Sequence, residues 1–459
     1  MIQALIGLAL PIAAVWAAFR AARLGEAAHS RLLTLALASC VGIGASSALT
    51  FATLMLGGRL NTAFVVRDAL TWILLLLVSL WLARGRSPNV PGDAFPPATT
   101  VDWLLRTAFL AVFVMACAVP LIEYSVSPHG QWDAWAIWNQ KARFMFRAGP
   151  RWIDSMAIPW SQPSHPPLVA ASVARLWAYA GRELTVVPAM LSAAFAVSML
   201  TVVMGALDVR RQRAWVAGTI LIAPLTFSHL ASAQTADLPL GLFLIATLVM
   251  LPMRPAAWRM GFQTSASLWL AGATASLAAW TKNEGVVFFA ASTALVIWSA
   301  FRHGRPRDIF WWAIGAVPFL AALAWFKLGV VPEAPDYLEG ATTLSTITAR
   351  LFDAKRQAVL WETIWSLASR WGGPAAAGSL FVVLAVAIAA AFRRTGRIAR
   401  GFLAVAAVMA AGYCTVYLLT PYDVAWLVLT TFDRLTLQLW PLIVFAACAP
   451  TDDAKGVAG

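Results

Sequence analysis

Residues 32–56 read LLTLALASCVGIGASSALTFATLML, a run without a single Asp, Glu, Lys, Arg or His. A helix crosses the hydrocarbon core of a bilayer in about 20 residues, so this run predicts a membrane span. Runs of similar character centre on 1–19, 69–83, 101–124, 184–206, 214–231, 238–253, 265–281, 285–301, 309–331, 374–392, 400–420 and 435–449. The expectation is an all-α, polytopic integral membrane protein of about thirteen transmembrane helices. The 238–253 run is short, and 265–281 and 285–301 are barely separated. The whole 459-residue chain agrees: it is 60% hydrophobic and 12% charged, with a mean hydropathy of +0.73. Soluble domains carry about 25% charged residues, so no polar block remains for a large soluble domain.

A formal net charge of +13 could point to nucleic acid. The basic residues are instead dispersed in short loops between apolar runs, a pattern that sets topology. RRQR (210–213), MRPAAWR (253–259), FRHGRPR (301–307) and FRRTGRIAR (392–400) alternate onto one face, with Arg20, Arg23, Arg84 and Arg86. By the positive-inside rule that face is cytoplasmic. The N-terminus is then expected outside and the tail TDDAKGVAG (451–459) inside. The first run reads as a span, lacking the basic start and cleavage site of a signal peptide. Cys40, Cys117, Cys414 and Cys448 lie singly in apolar runs and read as small hydrophobes.

The unusual polar residues fall on the opposite, outer face. The first long outer loop, about 125–183, contains HGQWDAWAIWNQKARFMF (129–146). Read as a helix, 131–147 puts Trp135, Trp138, Ala142 and Met145 on one side and Asp133, Gln140 and Arg147 on the other. That predicts an amphipathic helix lying along the membrane surface. Its tryptophans suit the interface, and Lys141 and Arg143 read as snorkelling groups. Asp133 fits that picture least, because an acid beside lipid is costly and usually faces a polar cavity.

QTADLPL places Asp237 before a span, where an N-cap role is also open. WTKNEG stacks Lys282, Asn283 and Glu284 between two runs; TTFDR brings Asp433 beside Arg434, open to a local ion pair; TPYD adds Tyr422 and Asp423. His165, in SHPPL, reads either as a surface hydrogen-bonding group or as a functional one. No polar stripe runs through the span middles, which favours chemistry at the outer surface over transport.

In order along the chain, WDAWAIWNQKARF (132–144), SHPPL (164–168), ADLPL (236–240), WTKNEG (280–285) and TTFDRLTLQLWP (430–441) resemble the motifs of the polytopic GT-C glycosyltransferases. The resemblance is greatest to the bacterial membrane enzymes related to protein O-mannosyltransferases and to the aminoarabinose transferases of lipid A, and it covers roughly 101–450. It implies a GT-C-like transmembrane catalytic module over 101–450, preceded by an N-terminal region 1–100 of three extra spans and a Pro-rich loop (84–100). The tail 451–459 follows. It also implies residence in the bacterial inner membrane, a polyprenyl-phosphate-linked sugar donor, and inverting transfer with the first-loop acid, here Asp133, as base. The chain departs from the pattern in those extra spans and in having Ser164 and His165 where relatives carry an acid and a Tyr.

The residue types fit that chemistry on their own terms. A carboxylate within reach of a hydroxyl can take its proton, and preorganised cations can stabilise a departing phosphate. Asp133 is the expected base. Arg434 and Lys282 are the expected phosphate partners, with Arg143 and Lys141 behind them. Asp237, counted with Asp133 as catalytic, and Glu284 could hold sugar hydroxyls or a divalent cation such as Mg or Mn, although no spacing names a metal. Trp132, Trp135 and Trp138 could stack on a sugar. The acceptor could be lipid, polysaccharide or protein, and no nucleic-acid partner is expected. A transporter of lipid-linked sugar and a non-enzymatic scaffold are the alternatives.

Overall fold

The computed structural model describes residues 1–24, 31–84, 97–251, 264–332, 343–393 and 396–450. All regular structure among them is helical. The first half comprises α1 (Ile2–Ala21), α2 (Arg31–Met55), α3 (Thr62–Ala83), α4 (Thr100–Val126), α5 (Asn139–Ala148), α6 (Leu168–Ala180), α7 (Val186–Ala206), α8 (Gln212–Ile222) and α9 (Leu225–Ser232). The second half comprises α10 (Asp237–Met250), α11 (Thr264–Thr281), α12 (Asn283–Arg302), α13 (Arg307–Gly329), α14 (Leu344–Leu351), α15 (Ala354–Arg370), α16 (Ser379–Phe392), α17 (Arg397–Leu419) and α18 (Val424–Cys448). The MRPAAWR loop, most of the Pro-rich 84–100 loop and of PEAPDYLEG (332–340), and the 451–459 tail lie outside the described residues.

Each apolar run expected to span is helical over most of its length, but the runs are not equivalent. Ten described helices are long and apolar enough to cross a membrane, and α8 with α9 makes an eleventh if the bent pair counts as one. The run at 214–231 is broken by a 67° bend. Pro224 stands at the break, where it cannot donate a backbone hydrogen bond. Helix α10 has 14 residues, about 21 Å at 1.5 Å per residue, against a hydrocarbon core of about 30 Å. All of its side chains are buried, so it is walled by other helices and need not reach both surfaces.

Two pairs of helix ends that the charge alternation puts on one face do meet. Phe19 at the end of α1 meets Trp269 near the start of α11, and Gly205 at the end of α7 abuts the backbone of Leu33. These ends belong to the basic face. The opposite ends carry the polar segments described below.

Among the described residues one apolar core includes side chains from Ala4 to Ala446. A buried polar network ties the N-terminal helices to α6. Arg175 donates to Asp68 of α3 through Nε (3.1 Å) and Nη2, and through Nη1 to the Gly7 carbonyl of α1 (2.7 Å). Tyr179 Oη donates to the same Asp68 oxygen at 2.6 Å. Removing one partner of a buried ion pair leaves an uncompensated charge and costs about 3–5 kcal/mol. Arg175→Met should therefore lower stability by about that amount in a detergent unfolding titration. Adding Asp68→Asn should restore part of the loss. An unchanged midpoint in the single variant would mean that the network holds nothing together.

Candidate active site

The first outer segment does not form the uniform surface helix expected for 131–147. Residues Ala134–Trp138 make a π turn before α5 begins. A π turn adds a residue to the helical repeat and so rotates what precedes it. Trp138, Ala142 and Met145 are buried as expected, whereas Trp135 turns outward and pairs edge-on with exposed Trp132, ring centroids 5.9 Å apart. The inner face of α5 packs on α6 rather than on lipid. The outward turn of Trp135 corrects the expectation that it shares the face of Trp138, Ala142 and Met145.

Gly130 brings this segment against the turn before α10. Its φ is +78°, and a Cβ there would lie 2.8 Å from both the Ala233 carbonyl oxygen and Ala134 Cβ. Only glycine suits both constraints. Gln234, in the facing turn, adopts a left-handed φ of 59°. Its side chain is pinned by accepting from Asn139 Nδ2 (3.1 Å) and donating to the Pro128 carbonyl (3.2 Å). A strained non-glycine residue held from both sides fixes the turn that delivers Asp237.

Asp237 is the first residue of α10 but caps nothing. Its Oδ1 accepts from Lys282 Nζ (2.9 Å) and Gln438 Nε2 (2.7 Å), and its Oδ2 from Arg434 Nε (2.8 Å). Arg434 also reaches Asp133, with Nη1 2.6 Å from Oδ2. Lys282 also pairs with Glu284 at 2.8 Å. Residues 133, 237, 282, 284 and 434 thus form one connected ionic cluster. Asp237 is fully buried at its base, while Asp133 and Arg434 each keep 20% of their side-chain surface exposed.

Local structure explains these placements. Lys282 is a one-residue extended break (φ −151°, ψ 161°) between α11 and α12, which directs it away from both helices. Arg434 is not in an outer turn, as expected for 420–434, because α18 already begins at Val424 with Asp423 as its side-chain cap. Ten residues of helix place Arg434 about 15 Å along the axis from that end. The cluster is therefore recessed between helices.

Other expected site residues fall elsewhere. Asp433 is exposed and makes no pair with Arg434, which corrects the reading of TTFDR as a local ion pair. Lys141 is fully buried and neither snorkels nor faces the cluster directly. Its Nζ donates to the carbonyls of Gln162 (2.7 Å) and His165 (3.3 Å), and burial, with Lys327 nearby, pushes its pKa down to about 7. His165 is no surface group: it stacks on Trp138 at 5.6 Å, and its Nδ1 is buried without a protein partner. Its pKa lies well below the usual histidine value, first through burial and then through Lys282, Lys141, Arg434 and Lys327. Asn283 donates to Ser164 Oγ (2.9 Å) and accepts from Lys327 Nζ (2.7 Å), joining WTKNEG to SHPPL. Arg143 lies apart from the cluster, beside Glu183 and His129.

Two further members were not singled out from sequence. Gln438 lies one helical turn beyond Arg434, and this i, i+4 spacing was the available signal. Lys327, an isolated cation in an apolar run, was the other.

Burial acts against the Lys282 ammonium, but Asp237 and then Glu284 outweigh it and hold its pKa above the usual lysine value. Lys282 is therefore charged at neutral pH. Lys282, Arg434 and Lys327 lie around His165 together with Lys141, opposite the three acids Asp133, Asp237 and Glu284. This arrangement can receive an anion at the exposed edge of Arg434 while a carboxylate stands beside it. A divalent cation fits poorly at Asp237, whose oxygens already accept three N–H donors. Among the described residues no three His, Cys, Asp or Glu side chains gather to ligate a metal. Comparison with protein-family models, curated proteins and solved structures finds no match to this chain.

Proposed function

We propose that this protein is a GT-C-like membrane glycosyltransferase. It moves a sugar from a polyprenyl-phosphate donor to an acceptor hydroxyl on the outer face of a bacterial inner membrane. The N-terminus is then outside and the C-terminus cytoplasmic. The observation that supports this most is the recessed cluster, in which Arg434 bridges Asp133 and Asp237 and Lys282 completes the cation pair. Four segments far apart in sequence supply an exposed acid beside two oriented cations, the set that hydroxyl activation and phosphate departure require.

In this reading, Asp133 takes the proton from the acceptor hydroxyl. The hydroxyl oxygen forms a bond to the anomeric carbon as the bond from that carbon to the phosphate oxygen breaks, with inversion. The polyprenyl phosphate leaves with the bonding electron pair. Arg434 is held by Asp237 through Nε and turns Nη1 toward Asp133. An arriving phosphate competes for that second edge, frees Asp133 to act as base, and finds the guanidinium already oriented. Arg suits this role because its planar fork binds two anions at once. Lys282 adds positive charge beside the leaving oxygen. Asp237 is a positioning residue, since both of its oxygens hold cations. Trp132 and Trp135, exposed next to Asp133, are placed to contact the acceptor side.

The test is incubation of purified protein in liposomes with labelled polyprenyl-phosphate hexose, pentose and aminosugar. Cleavage of the sugar–phosphate bond, by transfer or by hydrolysis, is the expected result. Movement of intact donor across the bilayer would instead indicate a transporter, and neither outcome would indicate a scaffold.

A further inference from the structure

A cavity of mixed polar and apolar lining opens beside the Asn139–Gln234 hydrogen bond. Its volume is about 100 Å³, and its lining includes His129, Asn139, Arg143, Trp177, Glu183 and Gln234. Asn139 is 1% exposed. Its Nδ2 donates to the His129 carbonyl (3.3 Å) and to Gln234 Oε1 (3.1 Å), both acceptors, which fixes which way the amide faces. Its Oδ1 is then buried with no partner. A buried orphan acceptor costs about 1–3 kcal/mol, so a donor from outside the protein is the natural complement.

The rest of the lining narrows the chemistry. Glu183 takes two bonds from Arg147 (2.5 and 2.8 Å) and lies 3.4 Å from Arg143. A carboxylate has about four acceptor sites, so capacity remains. Arg143 supplies donors from above the Trp177 ring, 5.9 Å from its centroid. Two guanidiniums, Arg143 and Arg147, share the single acid Glu183, whose carboxylate beside the cavity disfavours a phosphate. Mixed donors and acceptors around an aromatic wall suit a neutral group with several hydroxyls. They suit neither a phosphate nor an apolar chain.

We propose that this cavity binds the hydroxyl-bearing edge of one ring of a saccharide acceptor, an inference that rests on the glycosyl-transfer reading and narrows its acceptor to a carbohydrate. Asp133 and Asn139 lie six residues apart on one helical segment, at most about 9 Å along its axis because the π turn between them rises less than an α-helix. A glycan with its reacting hydroxyl at Asp133 can therefore place the edge of a neighbouring ring here. Arg143 and Glu183, far from the ionic cluster, then select the acceptor.

The probe is a pair of methyl glycosides, one hexoside and one pentoside, followed by saturation-transfer NMR on the full-length protein in detergent. At least one should bind the wild type. Glu183→Gln should weaken it about tenfold or more, as loss of a charged hydrogen bond does. If Glu183→Gln lowers the melting temperature, Arg143→Gln provides the same comparison. No binding to the wild type, or binding untouched by a folded cavity variant, overturns the inference even where donor cleavage is observed. Binding lost in the cavity variants with no donor cleaved by any form would keep the cavity and sink the glycosyl-transfer reading.

Discussion

Asp133→Asn protein is expected to express, fold and bind donor while losing about 10²–10⁴ of its turnover, the usual contribution of a positioned general base. The substitution keeps size and shape but cannot take a proton. Folding should survive because Asp133 is not what holds the cluster together. Arg434 stays anchored through Nε on Asp237, and Lys282 stays on Asp237 and Glu284. The apparent KM for the lipid-linked donor should change little or fall, since Arg434 loses its competitor. Steady-state kinetics of labelled sugar release, beside a melting curve, reads both quantities. Near-normal turnover in a folded variant would remove Asp133 from the mechanism. Asp237→Asn is the instructive contrast. It weakens the hold on two buried cations at once, so its loss of activity should come with a lowered melting temperature. A positioning acid and a reacting acid are thereby told apart.

Span positions were legible because length and apolarity alone decide them: 32–56 and 101–124 became α2 and α4 with shifts of one or two residues. Three expected runs fell outside the ten long apolar helices, among them 265–281, whose α11 is rich in Ser and Thr; the other two have visible causes. Pro224 breaks one, and α10 is walled by protein, so it escapes the length that lipid imposes. The site was legible only as a set of residues on one side, read from the alternation of basic loops. That Arg434 chooses Asp133 and Asp237 over its neighbour Asp433 was not legible. The choice depends on α18 starting at Val424, and VAWLVLTTF carries no charge to distinguish helix from turn. The π turn at 134–138 leaves no periodic trace, so Trp135 was assigned to the wrong face. Asp68 stands beside Arg67 in sequence and Arg175 alone in an apolar run, and a pairing 107 residues apart leaves no local signature.

Arg434→Ala should damage both donor use and turnover, because Arg434 has two roles. It is the cation best placed for the departing phosphate, and losing one preorganised donor to a developing charge typically costs about 10²–10³ in kcat. It also neutralises two acids. Without it, Asp237 keeps Lys282 and Gln438, but Asp133 loses its ion-pair partner. The expected signature is a fall in kcat together with weaker use of the lipid-phosphate donor, while the acceptor KM moves little, since the cavity beside Arg143 and Glu183 is untouched. Arg434→Lys should recover only part of the loss. An ammonium restores the charge but not the planar fork that meets Asp237 and Asp133 through separate nitrogens. Equal damage to donor and acceptor use would assign Arg434 a purely structural role. A donor-selective loss, partly rescued by lysine, is what a residue facing the phosphate must produce.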